Sequence, residues 1–111
     1  MISIFLGEKD YQDSVINLEK SIYIRIGGHT ESVTVMYTSI ERNIRKYYAE
    51  AFFGDKVVRR ISPIYDNIED AELFIKVLFS KIKSLEDQHN IFIDANEIDL
   101  EIQKRNNNNS L

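Results

Sequence analysis

The strongest hydrophobic pattern in the chain is helical and lies in its second half. The apolar positions recur every three or four residues, which places them on one side of a helix; they are Ala71, Phe74, Ile75, Leu78, Ile82 and Leu85. Val77 and Phe79 widen this stripe, so the helix should pack deeply against a sheet. Asp66 and Glu69 have the spacing of a capping box at its start. We therefore predict a long helix near residues 67–86.

Alternation of apolar and polar residues predicts strands elsewhere. The segments are 1–6, 21–27, 33–37, 56–61 and 91–94. The linker GHTES between the second and third segments contains glycine and has the length of a hairpin connection. Ser62-Pro63 ends the fourth segment, because proline lacks a backbone donor and restricts the residue before it.

The segment 39–53 fits two structures. Thr38 begins a capping box, and the apolar positions after it favour an amphipathic helix that ends near Gly54. These positions are Ile40, Ile44, Tyr47, Tyr48, Ala51 and Phe52. The alternative is a hairpin in which residues 47–53 pair with residues 56–61 and the chain turns at Gly54-Asp55.

Three shorter segments complete the prediction. Asp10 is placed to cap a short helix whose apolar side is formed by Tyr11, Ser14, Val15 and Leu18. Ile98, Leu100 and Ile102 alternate as in an edge strand, with a terminal helix over ANEIDLEIQKR as the alternative. The polar end KRNNNNSL has nothing to bury, so we expect a flexible tail over residues 105–111.

Size and composition predict one folded domain. The chain has 111 residues, of which 43% are hydrophobic and 29% charged, as in ordinary globular proteins. We assign residues 1–104 to an α+β domain with two to three helices on one face of a small, mostly antiparallel sheet. No segment approaches the roughly 20 apolar residues of a membrane span, and the start does not resemble a secretory signal. With no cysteine present, we expect a cytoplasmic protein without a membrane partner.

Catalytic and metal-binding motifs are absent from the sequence. His29 and His89 do not belong to a spaced ligand motif, and there is no cysteine to complete a site. No serine stands in a G-x-S-x-G elbow. The glycine pair in RIGGHT joins two predicted strands, which favours a turn over a phosphate loop. We therefore expect no enzyme activity, no cofactor and no metal.

Charge is segregated along the chain, although the formal net charge is only -4. Cations dominate residues 42–60, where they are Arg42, Arg45, Lys46, Lys56, Arg59 and Arg60. Residues 86–101 contain no Lys or Arg but six acids: Glu86, Asp87, Asp94, Glu97, Asp99 and Glu101. Segregation of this kind supports electrostatic steering towards a partner. The simplest explanation remains that the two segments form solvated faces or pair with each other.

Two kinds of partner follow from these segments. The acidic segment suits a basic protein surface, where it would raise the association rate. The basic segment, which has aromatic residues interleaved, suits nucleic acid through Arg42, Arg45, Lys46, Arg59 and Arg60. The negative net charge disfavours nucleic acid. Exposed aromatic rings would act as interface anchors, and the candidates are Tyr11, Tyr23, Tyr47 and Tyr65. A homodimer that forms through a sheet edge or through the long helix is a further alternative.

In size, acidity and the arrangement of SIYIRIGGHTESVTVMY and DNIEDAELFIKVLFSKIKSL, the whole chain resembles the immunity proteins of bacterial contact-dependent and other polymorphic toxin systems. The resemblance implies stoichiometric inhibition of a cognate toxin, often a basic nuclease whose active site attracts carboxylates. On this expectation the binding residues are Asp94, Glu97, Asp99 and Glu101, with Asp10 and Asp13.

Overall fold

The computed structural model describes residues 1–7 and 14–109, and their fold is of the predicted α+β class. The elements are β1 (Ile2–Leu6), β2 (Ser14–Asn17), a 3-10 turn (Leu18–Lys20), β3 (Tyr23–Thr34), β4 (Glu41–Gly54), β5 (Val57–Arg60), α1 (Ile68–Ser84), β6 (Ile91–Asp94) and α2 (Ala95–Asn109). The long helix and the strands predicted over 1–6, 56–61 and 91–94 are therefore confirmed to within a few residues.

The strands form two small sheets. In the first, β1 lies between β2, which runs antiparallel to it, and β6, which runs parallel to it. In the second, β4 lies between β3 and β5, and both pairings are antiparallel. The second sheet is built from consecutive strands, whereas the parallel pair of the first joins residues such as Ile2 and Ile91.

The core is formed by α1, α2 and the inner faces of the strands. Helix α1 buries Ala71, Phe74, Val77 and Leu78, which belong to the predicted apolar side. Ala49 and Ala51 of β4 are buried with them in the same cluster. Phe79, in contrast, is 49% exposed, so the apolar stripe is narrower than predicted.

The N-cap of α1 lies one residue later than predicted. The side chain of Asn67 accepts a hydrogen bond from the backbone N of Asp70 at 2.9 Å, so Asn67 is the N-cap. Asp66 lies outside the helix and forms an ion pair with Lys46 of β4. The predicted capping box of Asp66 and Glu69 is therefore wrong by one position.

Strand β4 replaces the helix predicted over residues 39–53. Residues four apart share one side of a strand as well as one side of a helix, because side chains alternate with a period of two. Ile44, Tyr48 and Phe52 consequently line one face, while Ala49 and Ala51 are buried on the other. The hairpin alternative is confirmed, since β5 pairs with β4 across a turn at residues 54–57.

The predicted hairpin between residues 21–27 and 33–37 is wrong, because residues 23–34 form the single strand β3. GHTES lies within β3, which pairs with β4 along its whole length. The chain turns between Val35 and Ile40 instead, where the backbone N of Val35 donates to the carbonyl of Ile40 at 2.9 Å. This turn contains neither glycine nor proline, and Tyr37 adopts the left-handed φ of 65°.

The secondary structure near both ends of the chain also differs from the one predicted from the sequence. The short helix predicted after Asp10 is wrong for its described residues, because Ser14 and Val15 lie in β2 and Leu18 lies in the 3-10 turn. Asp10 and Tyr11 lie outside the described residues. The terminal alternative is correct, because residues 95–109 form α2. Ile98 and Ile102 are fully buried one helical turn apart, and the polar end continues this helix to Asn109.

Candidate functional site

The predicted acidic residues lie on or beside α2, and most have partners there. Asp94 accepts a hydrogen bond from the backbone N of Asn96 at 2.9 Å, so its carboxylate caps the helix. Glu101 pairs with Arg105 at 3.2 Å and lies 3.8 Å from the Nζ of Lys81.

The two remaining acids of α2 differ in exposure. Glu97 is exposed and shares one side of the helix with Asp94 and Glu101, whereas Asp99 is half-buried and lies near Tyr65. Asp10 and Asp13 lie outside the described residues. Among the described acids, Glu97 is therefore the one best placed to meet a partner.

The hydroxyl of Tyr65 is a buried polar group at this junction. Burial, together with the carboxylates of Asp99 and Asp70, raises the pKa of Tyr65. Asp99 acts on the hydroxyl electrostatically without meeting it in hydrogen-bond geometry, and Tyr65 Oη is the one buried side-chain polar atom without a partner among the described residues. Tyr65 is thus a core residue and not the exposed anchor that the sequence suggested as one candidate.

The predicted basic residues are divided between two places. Arg42 and Arg45 lie on the exposed far part of β4, where the guanidinium of Arg45 is 6.0 Å from the centre of the Tyr47 ring. Arg59 and Arg60 lie at the other side of the same sheet, on β5. Lys46 pairs with Asp66, so these cations do not form one continuous basic surface.

A groove of about 480 Å³ lies between the edge strands β2 and β5. Lys20, Arg59 and Arg60 supply its cations, and apolar side chains, among them Leu6 and Phe53, line the rest. Burial lowers the pKa of Arg60, whose Nη1 donates to the carbonyl of Ser62 at 2.8 Å. The groove is therefore basic and partly apolar.

The two most exposed apolar side chains among the described residues, those of Tyr37 and Met36, lie at the far end of the β3–β4 hairpin. We call residues 30–45 the arm. Nearly all of its residues are exposed, because the hairpin extends beyond the part that α1 covers. The exposed fractions are 41% for Val33, 75% for Met36, 98% for Tyr37, 62% for Ile40 and 38% for Ile44. A concentration of exposed apolar groups is typical of a protein-binding surface.

The turn of the arm has a defined backbone. Thr38 donates from its Oγ1 to the carbonyl of Val35 at 2.9 Å, and its backbone N donates to the same oxygen at 3.1 Å. The left-handed backbone of Tyr37 directs the chain back into β4. The ring of Tyr37 is therefore presented to solvent from a hydrogen-bonded turn.

The sequence pattern placed part of the arm in a helix and therefore missed this surface. The run VTVMYTSI did offer a signal, since five apolar side chains surround a turn with little polar cover. Of the aromatic anchors suggested from sequence, Tyr23 is exposed at 42% and stacks on Phe52 at 4.9 Å. Tyr47 is half-buried, and Tyr11 lies outside the described residues.

No group of three or more potential metal ligands occurs among the described residues. His29 lies within β3, where its Nε2 is 2.9 Å from Glu31, and His89 follows α1 in an exposed loop. Within residues 1–7 and 14–109, neither α-helix is long and apolar enough to cross a bilayer.

No family model matches the chain, and neither a curated protein nor a solved structure shows significant similarity to it. The case for a function therefore depends on the surfaces described above.

Proposed function

We propose that this protein is a non-enzymatic binding module that neutralises a cognate bacterial toxin by stoichiometric binding, with the arm as its main anchoring surface. The observation that supports the proposal is the exposure of Met36, Tyr37 and Ile40 at the end of the hairpin. Tyrosine and methionine are enriched in protein interfaces, and a few such anchors supply most of the binding energy.

The form of the arm suits insertion into a cleft of the partner. Its backbone is fixed by the β3–β4 pairing from Tyr23–Phe52 to Thr34–Glu41, so little order has to be gained on binding. Because both faces of the arm are exposed, a partner can enclose it from two sides. The partner expected from this surface is a protein with an apolar cleft.

The acidic side of α2 supplies a second, electrostatic contribution in this proposal. Glu97 is exposed there, and the chain carries a formal net charge of -4. Charges at the rim of an interface mainly change the association rate and its salt dependence. A basic toxin, such as a nuclease, would be attracted to this side before the arm docks.

Co-expression with the toxin encoded by the adjacent upstream reading frame tests the proposal. The wild-type protein should protect cells and form a stable complex of the two proteins. The double variant Met36→Ser/Tyr37→Ser should lose protection and bind roughly thirtyfold or more weakly, which corresponds to the loss of hot-spot residues. Phe79→Ser is the matched control, because Phe79 is 49% exposed on α1.

Two results would contradict the proposal. One is the absence of any toxin gene beside this one, and the other is full binding and protection by the arm variant. The variant Glu97→Lys tests the electrostatic contribution separately. It should slow association with the toxin at low salt and have little effect on the association rate at high salt. An effect of Glu97→Lys on dissociation alone would remove α2 from the proposed interface.

A further inference from the structure

The outer edge of β3 is long and open. β3 has 12 residues, and β4 is its only strand partner in the part of the chain that the structure describes. The edge contains no proline, and the strand carries only two charged residues, Arg25 and Glu31. Open edges of this length present a row of backbone donors and acceptors to any strand that can pair with them.

We propose that two copies of this chain pair antiparallel through their β3 edges, about a two-fold axis at Gly28. The pairing joins the three-stranded β3-β4-β5 sheets of the two copies into one continuous sheet. An axis perpendicular to the sheet keeps equivalent faces on the same side, so residues with odd numbers pair with each other. The contact is isologous, since each strand contributes the same residues.

Charge complementarity selects this register. With the axis at Gly28, Arg25 lies opposite Glu31 of the second copy, and the symmetry produces this pair twice. Opposite charges directly across an antiparallel pair stabilise it, whereas like charges destabilise it. An axis at Gly27 would place Arg25 opposite His29, and an axis at His29 would place it opposite Val33, so neither neighbouring register pairs it with a carboxylate.

The same register suits the remaining side chains of that face. Tyr23 lies opposite Val33 of the second copy, and both are exposed apolar residues, at 42% and 41%. Gly27, which has no side chain, lies opposite His29 of the second copy. The register therefore uses nearly the whole strand, from Tyr23 to Val33.

The two charged residues are accessible for this pairing. The side chain of Arg25 is 49% exposed and that of Glu31 is 45% exposed. Arg25 contacts Glu50 through Nε and the hydroxyl of Tyr23 through Nη1, and guanidinium groups have five N–H donors in total. The dimer leaves the turn of the arm exposed, so this inference does not rest on the proposed function.

Sedimentation velocity of the full chain over a wide concentration range tests the dimer. The wild-type protein should form dimers that dissociate on dilution. Glu31→Arg should raise the dissociation constant about tenfold to a hundredfold, because both attractive pairs become repulsive. Glu86→Arg, which makes the same charge change at an exposed position after α1, should leave it unchanged. A wild-type protein that stays monomeric, or equal effects of the two variants, would overturn the proposal.

Hydrogen exchange locates the interface independently of any variant. Backbone amides of β3 that do not bond to β4 should be protected at high protein concentration and exchange faster on dilution. Concentration-dependent protection at another edge, such as β5 or β6, would also overturn the β3 assignment. Loss of toxin neutralisation with an intact dimer would affect the proposed function alone.

Discussion

Arg25 and Glu50 lie opposite each other on β3 and β4, and the Nε of Arg25 donates to the Oε1 of Glu50 at 2.7 Å. The Glu50 side chain is only 12% exposed, although it lies on the face of the sheet that α1 does not cover. Gly27 is what allows this arrangement, since a Cβ at that position would lie 2.3 Å from the Oε2 of Glu50. Because this mid-strand glycine has no side chain, the carboxylate of Glu50 can occupy the space above it.

Gly27→Ala should therefore destabilise the protein, because the new methyl group displaces the carboxylate from Arg25. Urea denaturation of the purified protein measures the loss. In a Glu50→Ala background the same substitution should cost much less, since the clash has been removed, and the double-mutant cycle isolates this coupling. An equal cost in both backgrounds would show that the carboxylate is not the cause.

Ser62→Ala should also destabilise the protein, by about 1–3 kcal/mol, because a buried donor loses its acceptor. The Oγ of Ser62 accepts from the backbone N of Ala49 at 2.8 Å and donates to the carbonyl of Pro63 at 2.8 Å. Exchange of the Ala49 amide should accelerate in the variant. Ser84→Ala is the control, as its hydroxyl donates at the exposed end of α1, and a change there should stay within about 0.5 kcal/mol.

Tyr65→Phe should change the response of stability to alkaline pH. Burial raises the pKa of Tyr65 in the folded protein, so the unfolded chain ionises first as the pH rises above about 10. Ionisation of Tyr65 in the unfolded chain should then lower the free energy of unfolding of the wild type by up to about 1.4 kcal/mol per pH unit. The variant should lack this contribution to the pH dependence.

At neutral pH the free energy of unfolding of Tyr65→Phe should be equal to or above that of the wild type, since an unpartnered buried hydroxyl is removed. Tyr37→Phe provides the comparison, because Tyr37 is 98% exposed and its removal should leave the alkaline slope intact. Identical slopes for wild type and Tyr65→Phe would mean that the hydroxyl reaches solvent.

The sequence predicted α1, β1, β5 and β6 well because their hydrophobic patterns have one interpretation. Phe74 and Leu78 lie a helical turn apart within a long periodic segment, and both are fully buried. The segment of β4 was ambiguous, since Tyr48 and Phe52 are spaced for a helix and also for one face of a strand. The aromatic residues at 47, 48, 52 and 53 and the turn at Gly54-Asp55 were the better evidence, and they favour the strand.

The position of the arm could not be predicted from local turn signals. Gly27 and Gly28 suggested a turn, but they lie within β3, where a carboxylate and the Lys46 carbonyl approach them so closely that a side chain would clash. The actual turn, around Tyr37, has no residue that favours a left-handed backbone. Its geometry depends on the β3–β4 pairing, which single-residue preferences do not encode. The exposure of Met36 and Tyr37 follows from that pairing.

The two sheets differ in how far apart along the chain their strands lie, and we expect this to set the order of folding. β3, β4 and β5 are consecutive, so they can pair by closing short loops, whereas the parallel pairing of Ile2 with Ile91 closes most of the chain. Closing a longer loop of chain costs more conformational entropy, which must be lost before the native contacts form and compensate for it. The hairpin should therefore form early, and docking of β1 beside β6 should be the late step that completes the native state.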